Sequence, residues 1–202
     1  MDLTRSNHYP LRRREVVQQI LQDRNDMLII AGLGASAWDV TAVEDSPLNF
    51  PLWGAMGGAV SIALGLALAQ PEKRVLVLTG DGEMLMGIGS LATVALQQPT
   101  NLAIVVLDNE RYGETGMQPT HTAGKTDLAA IAEASGISLS RVVHDDQDLN
   151  SVIPQIHSAP GPLFFNIKIC AENLPLVLPP KEGAYLKDRF RLALLGPTGR
   201  PC

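Results

Sequence analysis

The sequence predicts an α/β domain: a doubly wound, mostly parallel sheet with helices on both faces. Three observations predict it. Short, continuously apolar runs of strand length occur at Met27 to Ala31, Val75 to Leu78, Leu102 to Leu107 and Leu163 to Ile169. Strands apolar on both faces belong to parallel sheets covered on both sides. Helical patterns alternate with these runs, as in successive βαβ units, whose crossovers are right-handed. Three of the runs lead straight into polar or glycine-rich loops, at Gly32 to Ser36, Gly80 to Gly82 and Asp108 to Gly113.

The elements follow in order. Leu11, Val16, Val17, Ile20 and Leu21 share one face of a first helix, between Pro10 and the polar stop Asp23-Arg24-Asn25-Asp26. Met27 to Ala31 is the first strand. Thr41 to Pro51 reads as irregular. Ala55 to Gln70, rich in Gly and Ala, reads as one buried, tightly packed helix ended by Pro71-Glu72-Lys73. Val75 to Leu78 is a central strand. Met86 to Leu96 is a helix, and Leu102 to Leu107 another buried strand. Asp127 to Ala134 is a helix with Gly136 as its C-cap. Arg141 to Val143 is a short strand, and Leu149 to His157 a helix interrupted by Pro154. Leu163 to Ile169 is the last strand. Near Ala171 the composition turns proline-rich, with Pro175, Pro179 and Pro180. The chain is therefore expected to divide into a domain over residues 1–170 and a tail over residues 171–202. An amphipathic helix from Gly183 to Leu195 is the tail's candidate subunit contact.

Composition narrows the function classes. A chain of 202 residues is the size of one domain with a tail, and it buries roughly 70% of its unfolded surface. With 46% apolar and 18% charged residues it has the composition of a folded globular protein. Its 16 basic and 21 acidic residues give a net charge of −5, so no basic face for nucleic acid is expected. The longest apolar run, Ala59 to Ala69, is about half of a bilayer span, so no membrane association is expected. Cys170 and Cys202 are too few for a disulfide scaffold or a structural zinc site, which points to a reducing cytoplasm.

In open α/β sheets ligands bind beyond the carboxyl ends of the strands. The three loops should therefore form one composite site. Asp81, between Gly80 and Gly82, projects a carboxylate beside the start of a helix, where N–H groups favour a phosphate. A carboxylate next to a phosphate needs a cation between them, and magnesium takes one or two protein oxygens plus phosphate oxygens. Asn109, 28 positions later, offers a neutral amide oxygen at the end of the next strand. A bare strand-to-helix turn is the competing reading of Gly80-Asp81-Gly82 alone. Met56 sits among glycines that clear space around a flexible, polarizable side chain; a core methionine in a packed helix is the alternative.

Gly80-Asp81-Gly82, then 26 residues, then Asn109 resembles the thiamine diphosphate-binding motif. Leu52-Trp53-Gly54-Ala55-Met56-Gly57-Gly58 resembles its upstream partner in that superfamily. Gly89-Ser90-Leu91-Ala92-Thr93 and Gly116-Met117-Gln118-Pro119-Thr120 are similar to the beta subunits of sulfopyruvate decarboxylase and the matching half of phosphonopyruvate decarboxylase. The likeness runs from about Met27 to Ile169. It implies that Asp81, Asn109 and the backbone carbonyl of Arg111 hold Mg2+. It implies that Met56 wedges between the cofactor's two rings and that the Gly54 carbonyl accepts from the pyrimidine amino group. Gly34, Ala35, Ser36, Gly82 and Glu83 fall where the family contacts the diphosphate, and Gly80, Tyr112 and Gly113 complete the cofactor-binding set. Glu83 stands where Ser is often found, so only its backbone N–H is expected to help.

The superfamily draws its activating glutamate from a separate pyrimidine-binding domain. The 26 residues before the first strand are too few to supply one. The resemblance thus implies half of an active site, completed by a pyrimidine-binding partner subunit in a hetero-oligomer. The implied reaction is decarboxylation of a small 2-oxo acid, with the cofactor as electron sink. The alternatives are a carboligating, acetolactate synthase-like subunit and a non-catalytic cofactor-binding regulatory subunit. Glu110, Arg111, Tyr112, Glu114, Gln118, Thr120 and His121 are candidates to face substrate, with Gln118 and His121 the catalytic candidates and His121 suited to proton transfer. Arg111, where the relatives often carry a small residue, and the Ala35 to Asp39 stretch, which lacks their basic character, weigh against a phosphonate or sulfonate substrate.

Other motifs fit less well. Gly32-Leu33-Gly34 after a strand could open a dinucleotide site, but Glu44 and Asp45 come too early for the ribose acid. Neither a P-loop nor a Gly-x-Ser-x-Gly elbow occurs.

Overall fold

The computed structural model describes residues 2–197. In chain order its elements are α1 (Arg13–Leu21), β1 (Leu28–Ala31), α2 (Ala35–Val43), β2 (Asn49–Pro51), α3 (Ala59–Ala69), β3 (Val75–Gly80), α4 (Asp81–Met86), α5 (Ser90–Gln97), β4 (Leu102–Asp108), β5 (Arg111–Tyr112), β6 (Gln118–Pro119), α6 (Leu128–Ala134), β7 (Leu139–Val143), α7 (Asp146–Ser158), β8 (Leu163–Lys168) and α8 (Gly183–Leu195). Six strands form one sheet in the order β2-β1-β3-β4-β8-β7, with every pairing parallel. β5 and β6 make a separate antiparallel ribbon.

The continuous apolar runs are explained by burial on both faces. Leu76 and Leu78 of β3 join one core layer with α1, α2 and α7, while Val75 and Val77 join the other with α3, α5, α6 and α8. The chain runs outward from β1 to β2 and returns across β1 to β3. Beyond β1 the chain enters α2 on the first face; beyond β3 it enters α4 and then α5, which lies on the second. Their carboxyl ends therefore flank a switch point, where such sheets open a crevice.

Four expected segments differ in the structure, each for a physical reason. The segment read as irregular contains the last three residues of α2 and all of β2. The buried face of α2 includes Ser36 and Asp39, so it carries no clean apolar stripe, and Asp39 is held there by Arg13 and Arg14 at 3.0 and 2.9 Å. β2 is a three-residue edge strand ending in Pro51, too short to show a period. α3 starts at Ala59, not Ala55, because Ala55 and Gly57 take positive φ of 55° and 89°. It also leaves Ile62 and Leu68 exposed, so it is not buried all round. The helix expected over Met86 to Leu96 begins only at Ser90, as α5; Met86 instead ends α4, which starts at Asp81, and the chain breaks at Gly87 between them. A Cβ on Gly87 would lie 2.0 Å from the Gly57 carbonyl oxygen, so the two backbones touch there.

α7 is the fourth difference: it runs unbroken through Pro154. Pro154 is exposed and removes one backbone hydrogen bond from the helix interior. Pro154→Ala is therefore expected to stabilise the chain by about 1–3 kcal/mol, read from urea unfolding midpoints. A loss of stability would show that the ring makes a packing contribution larger than the missing bond.

α8 forms over the expected residues and packs on its own chain. Leu186 and Phe190 are buried, and Phe190 meets Phe50 edge-on at 5.5 Å. Tyr185, Leu192 and Leu195 stay exposed. Between β8 and α8 the chain passes over the carboxyl edge of the sheet, tied by Arg14 to the Pro175 carbonyl at 3.0 Å and by the Trp53 indole N–H to the Pro180 carbonyl at 2.8 Å. Cys170 is buried and unpaired, and Cys202 lies outside the described residues. Among the described residues no helix is long and apolar enough to cross a membrane.

Candidate active site

The carboxyl ends of β1, β3 and β4 converge on a cleft of about 370 Å³. Ala35, Ser36, Met56, Gly80, Asp81, Gly82, Glu83, Asn109, Arg111, Tyr112 and Gly113 all line it. Gly34 caps the start of α2 beside it, and Gly54 lies exposed two residues before Met56. Residues up to 79 positions apart in sequence are thus brought together by the parallel topology.

Met56 is not a helix-core residue. It is 41% exposed, in the loop before α3, between the two positive-φ residues Ala55 and Gly57. The side chain stands at the cleft without a packed shell around it.

Asp81 is 2% exposed. Its Oδ2 accepts from the Thr120 hydroxyl at 2.5 Å and the Thr122 hydroxyl at 3.1 Å. Burial, and after it the nearby Asp108 carboxylate, push Asp81 up to about 7 despite those hydroxyls. Asp108 is fully buried and compensated. It accepts from Lys168 at 2.7 Å, Asn166 at 2.9 Å, Thr122 at 2.8 Å and the Glu110 N–H at 3.0 Å. Glu110 is likewise buried, and accepts from Lys168 at 2.9 Å, Arg5 at 2.8 Å and Tyr9 at 2.8 Å. Burial alone would raise its carboxyl, but these donors outweigh burial and hold it below the ordinary value.

Three buried carboxylates, Asp81, Asp108 and Glu110, thus face two cations, Lys168 and Arg5. Asp81 is the one left over. A buried charge is ordinarily paired or bound to a metal. Among the described residues no group of three or more His, Cys, Asp or Glu side chains could hold a metal ion alone. The donor set is instead one carboxylate, the Asn109 amide and backbone carbonyls, with room for ligand oxygens, which suits a hard divalent cation. Asn109 Oδ1 accepts the Arg111 N–H at 3.0 Å, which fixes the turn between them.

Several sequence candidates for substrate contact lie elsewhere. Glu110 and Thr120 are buried in the network just described. The Arg111 guanidinium donates to the Leu3 carbonyl. Gln118 is exposed and bonds Thr115 at 2.8 Å. His121 is exposed, with Nδ1 3.3 Å from the Tyr112 hydroxyl. Gln118 and His121 are outside the cleft lining; Tyr112, Glu114 and Arg111 are within it. The Tyr112 ring packs directly against Gly82, and the Glu114 carboxylate lies over Gly34.

Arg5, Tyr9, Asp108, Thr122 and Lys168 were not foreseen. Lys168 carried the one usable signal, a lysine inside an otherwise apolar strand. Arg5 and Tyr9 reach the site only through tertiary packing.

A family model described as "Thiamine pyrophosphate enzyme, C-terminal TPP binding domain" matches residues 32–167. The chain belongs to that family. It is 39% identical over 188 residues to sulfopyruvate decarboxylase subunit beta of Methanothermobacter thermautotrophicus, covering 93% of this chain and 98% of that protein. It is 32% identical over 194 residues to phosphonopyruvate decarboxylase of Streptomyces viridochromogenes, covering 96% of this chain but 48% of that protein. The fold agrees with that of benzoylformate decarboxylase from Polynucleobacter necessarius, at a TM-score of 0.67, 22% identity, 83% of this chain and 34% of that one. As a family member, the chain is a thiamine diphosphate-binding domain, and all three loops of the cleft lie within the matched residues.

Proposed function

We propose that this chain is the diphosphate-binding subunit of a two-subunit, thiamine diphosphate-dependent 2-oxoacid decarboxylase. The observation that carries the reading is one of coverage: the match spans 98% of a protein named as a beta subunit and 48% of a longer decarboxylase. In this reading a pyrimidine-binding partner contributes the activating glutamate.

In this reading the Asp81 carboxylate, the Asn109 amide oxygen and the Arg111 carbonyl hold Mg2+. The cation balances the carboxylate that Lys168 and Arg5 leave uncompensated, and it joins Asp81 to the diphosphate. Gly34, Ala35 and Ser36 open α2 at the cleft with no side-chain cap, where backbone N–H groups suit phosphate oxygens. Gly80, Gly82, the Glu83 N–H, Tyr112 and Gly113 close round the same end. Met56 props the rings, and the Gly54 carbonyl accepts from the pyrimidine. Bound thiamine diphosphate supplies the electron sink for loss of carbon dioxide from a 2-oxo acid. His121, which the Tyr112 hydroxyl connects to the cleft, and Gln118 are our catalytic candidates. We assign a reducing, cytoplasmic location, supported by the buried, unpaired Cys170.

Native mass spectrometry on the chain purified from its own source tests the proposal. The expected result is a hetero-oligomer that carries thiamine diphosphate and a second chain. A homo-oligomer that holds the cofactor and decarboxylates nothing would replace it with a binding or regulatory role. Failure of the complete complex to take up thiamine diphosphate with Mg2+ would overturn it.

A further inference from the structure

Glu83 lines a cleft assigned to a diphosphate. It is acidic, and the residue is only 3% exposed. Its carboxylate is turned beneath the loop that follows β1. Oε2 accepts from the Thr79 hydroxyl at 2.6 Å. Gly32 makes room for it: a Cβ there would lie 1.8 Å from Glu83 Oε2 and 2.8 Å from the Thr79 hydroxyl oxygen. Any side chain at residue 32 would displace the carboxylate.

The backbone N–H groups of Leu33, Gly57 and Ala59 lie near the same carboxylate, but the Thr79 hydroxyl alone hydrogen-bonds it, and Oε1 has no partner. The polar groups named here are all donors, and an amide in place of the carboxylate must present an N–H to one of them.

The donors come from three separate segments. Thr79 lies at the end of β3. Leu33 directly precedes Gly34, Ala35 and Ser36. Gly57 directly follows Met56. The Gly57 segment is gripped from its other side as well, by the Gly57–Gly87 backbone contact, and the Gly87 N–H bonds the Glu83 carbonyl at 3.2 Å. One residue therefore ties β3 to both the segment assigned to the diphosphate and the segment assigned to the rings.

We propose that Glu83 is a positioning residue whose carboxylate sets the spacing between Gly34–Ser36 and Met56. The inference rests on the cofactor reading above. A ligand that spans both segments feels that spacing; a ligand that touches only the first does not.

The test uses the full-length chain in whatever complex it purifies with. Wild type, Glu83→Gln and Thr79→Val are titrated calorimetrically with thiamine diphosphate plus Mg2+, and separately with inorganic pyrophosphate plus Mg2+. In Glu83→Gln the Kd for thiamine diphosphate is expected to rise about 10- to 30-fold, and that for pyrophosphate less than about threefold. Thr79→Val should show the same split at smaller amplitude, and it carries the test if Glu83→Gln does not fold. Met56→Ala should weaken thiamine diphosphate binding less in the Glu83→Gln background than alone, because the two residues then act on one coupled distance. Equal losses for both ligands, or no loss for either, would overturn the proposal while leaving the cofactor reading intact. If wild type binds neither ligand, the cofactor reading itself fails and this inference fails with it.

Discussion

Replacing Asp81 with Asn is expected to leave the metal-free chain at least as stable as before while removing its metal-dependent hold on thiamine diphosphate. These two effects usually oppose each other at a buried site, so their separation is diagnostic. Asp81 lies 2% exposed beside the fully buried Asp108, and the surrounding cations are already engaged elsewhere. An asparagine keeps one oxygen for the Thr120 and Thr122 hydroxyls and removes the charge. Relief of the uncompensated charge should stabilise the metal-free chain by up to about 1–3 kcal/mol. A cation loses its only charged protein ligand, and affinity for thiamine diphosphate with Mg2+ should fall at least about 100-fold. Thermal unfolding without metal and calorimetric titration with it read the two halves. An Asp81→Asn chain that binds the cofactor normally would remove Asp81 from the site. One that unfolds would show that the carboxylate is structural.

β1, β3, β4 and β8 were legible in the sequence because burial on both faces leaves an uninterrupted apolar run. α8 was legible because its polar and apolar residues alternate at helical spacing. α2 was hidden because its inward face carries Asp39, which two arginines from α1 neutralise, and a pattern of apolar residues cannot register an ion pair. The break between α4 and α5 was hidden because its cause is the Gly57 carbonyl, 30 positions away. Pro154 misled for the opposite reason: a local rule stops the helix there, and the packing of Leu149, Val152 and Ile156 into the core holds it together.

The site divides in the same way. Asp81, Asn109 and Met56 were legible because each occupies a short motif at a fixed distance from a strand end. The network beneath them was not. Glu110 looked like a loop residue free to meet substrate, yet it is fully buried, at a φ of 60° that a non-glycine residue rarely adopts. What holds it are Arg5, Tyr9 and Lys168, from opposite ends of the chain. No spacing rule connects those residues, and only the fold brings them to one carboxylate.

Lys168→Met is accordingly expected to be the most damaging single substitution away from the cleft lining. Nζ lies 2.7 Å from Asp108 Oδ2 and 2.9 Å from Glu110 Oε1, and both carboxylates are fully buried. Burial works against the lysine's charge, but Asp108 and Glu110 hold it above its ordinary value. Removing one partner of a buried ion pair strands the other, at a cost of about 3–5 kcal/mol. Arg5→Met supplies the contrast. Its side chain is 41% exposed, and Glu110 would keep Lys168 and Tyr9, so screening limits the loss to about 1 kcal/mol. Urea unfolding of the two variants measures the difference. The double variant Lys168→Met/Asp108→Asn should recover part of the loss, because the stranded charge goes with its partner. If Lys168→Met costs no more than Arg5→Met, water or a neighbouring proton reaches the carboxylates, and the network is not the closed set of pairs that the geometry implies. If the ordering holds, the loop that presents Asn109 and Arg111 is fixed from beneath by charge compensation. Metal affinity should then fall with Lys168→Met even though Lys168 is not among the proposed ligands.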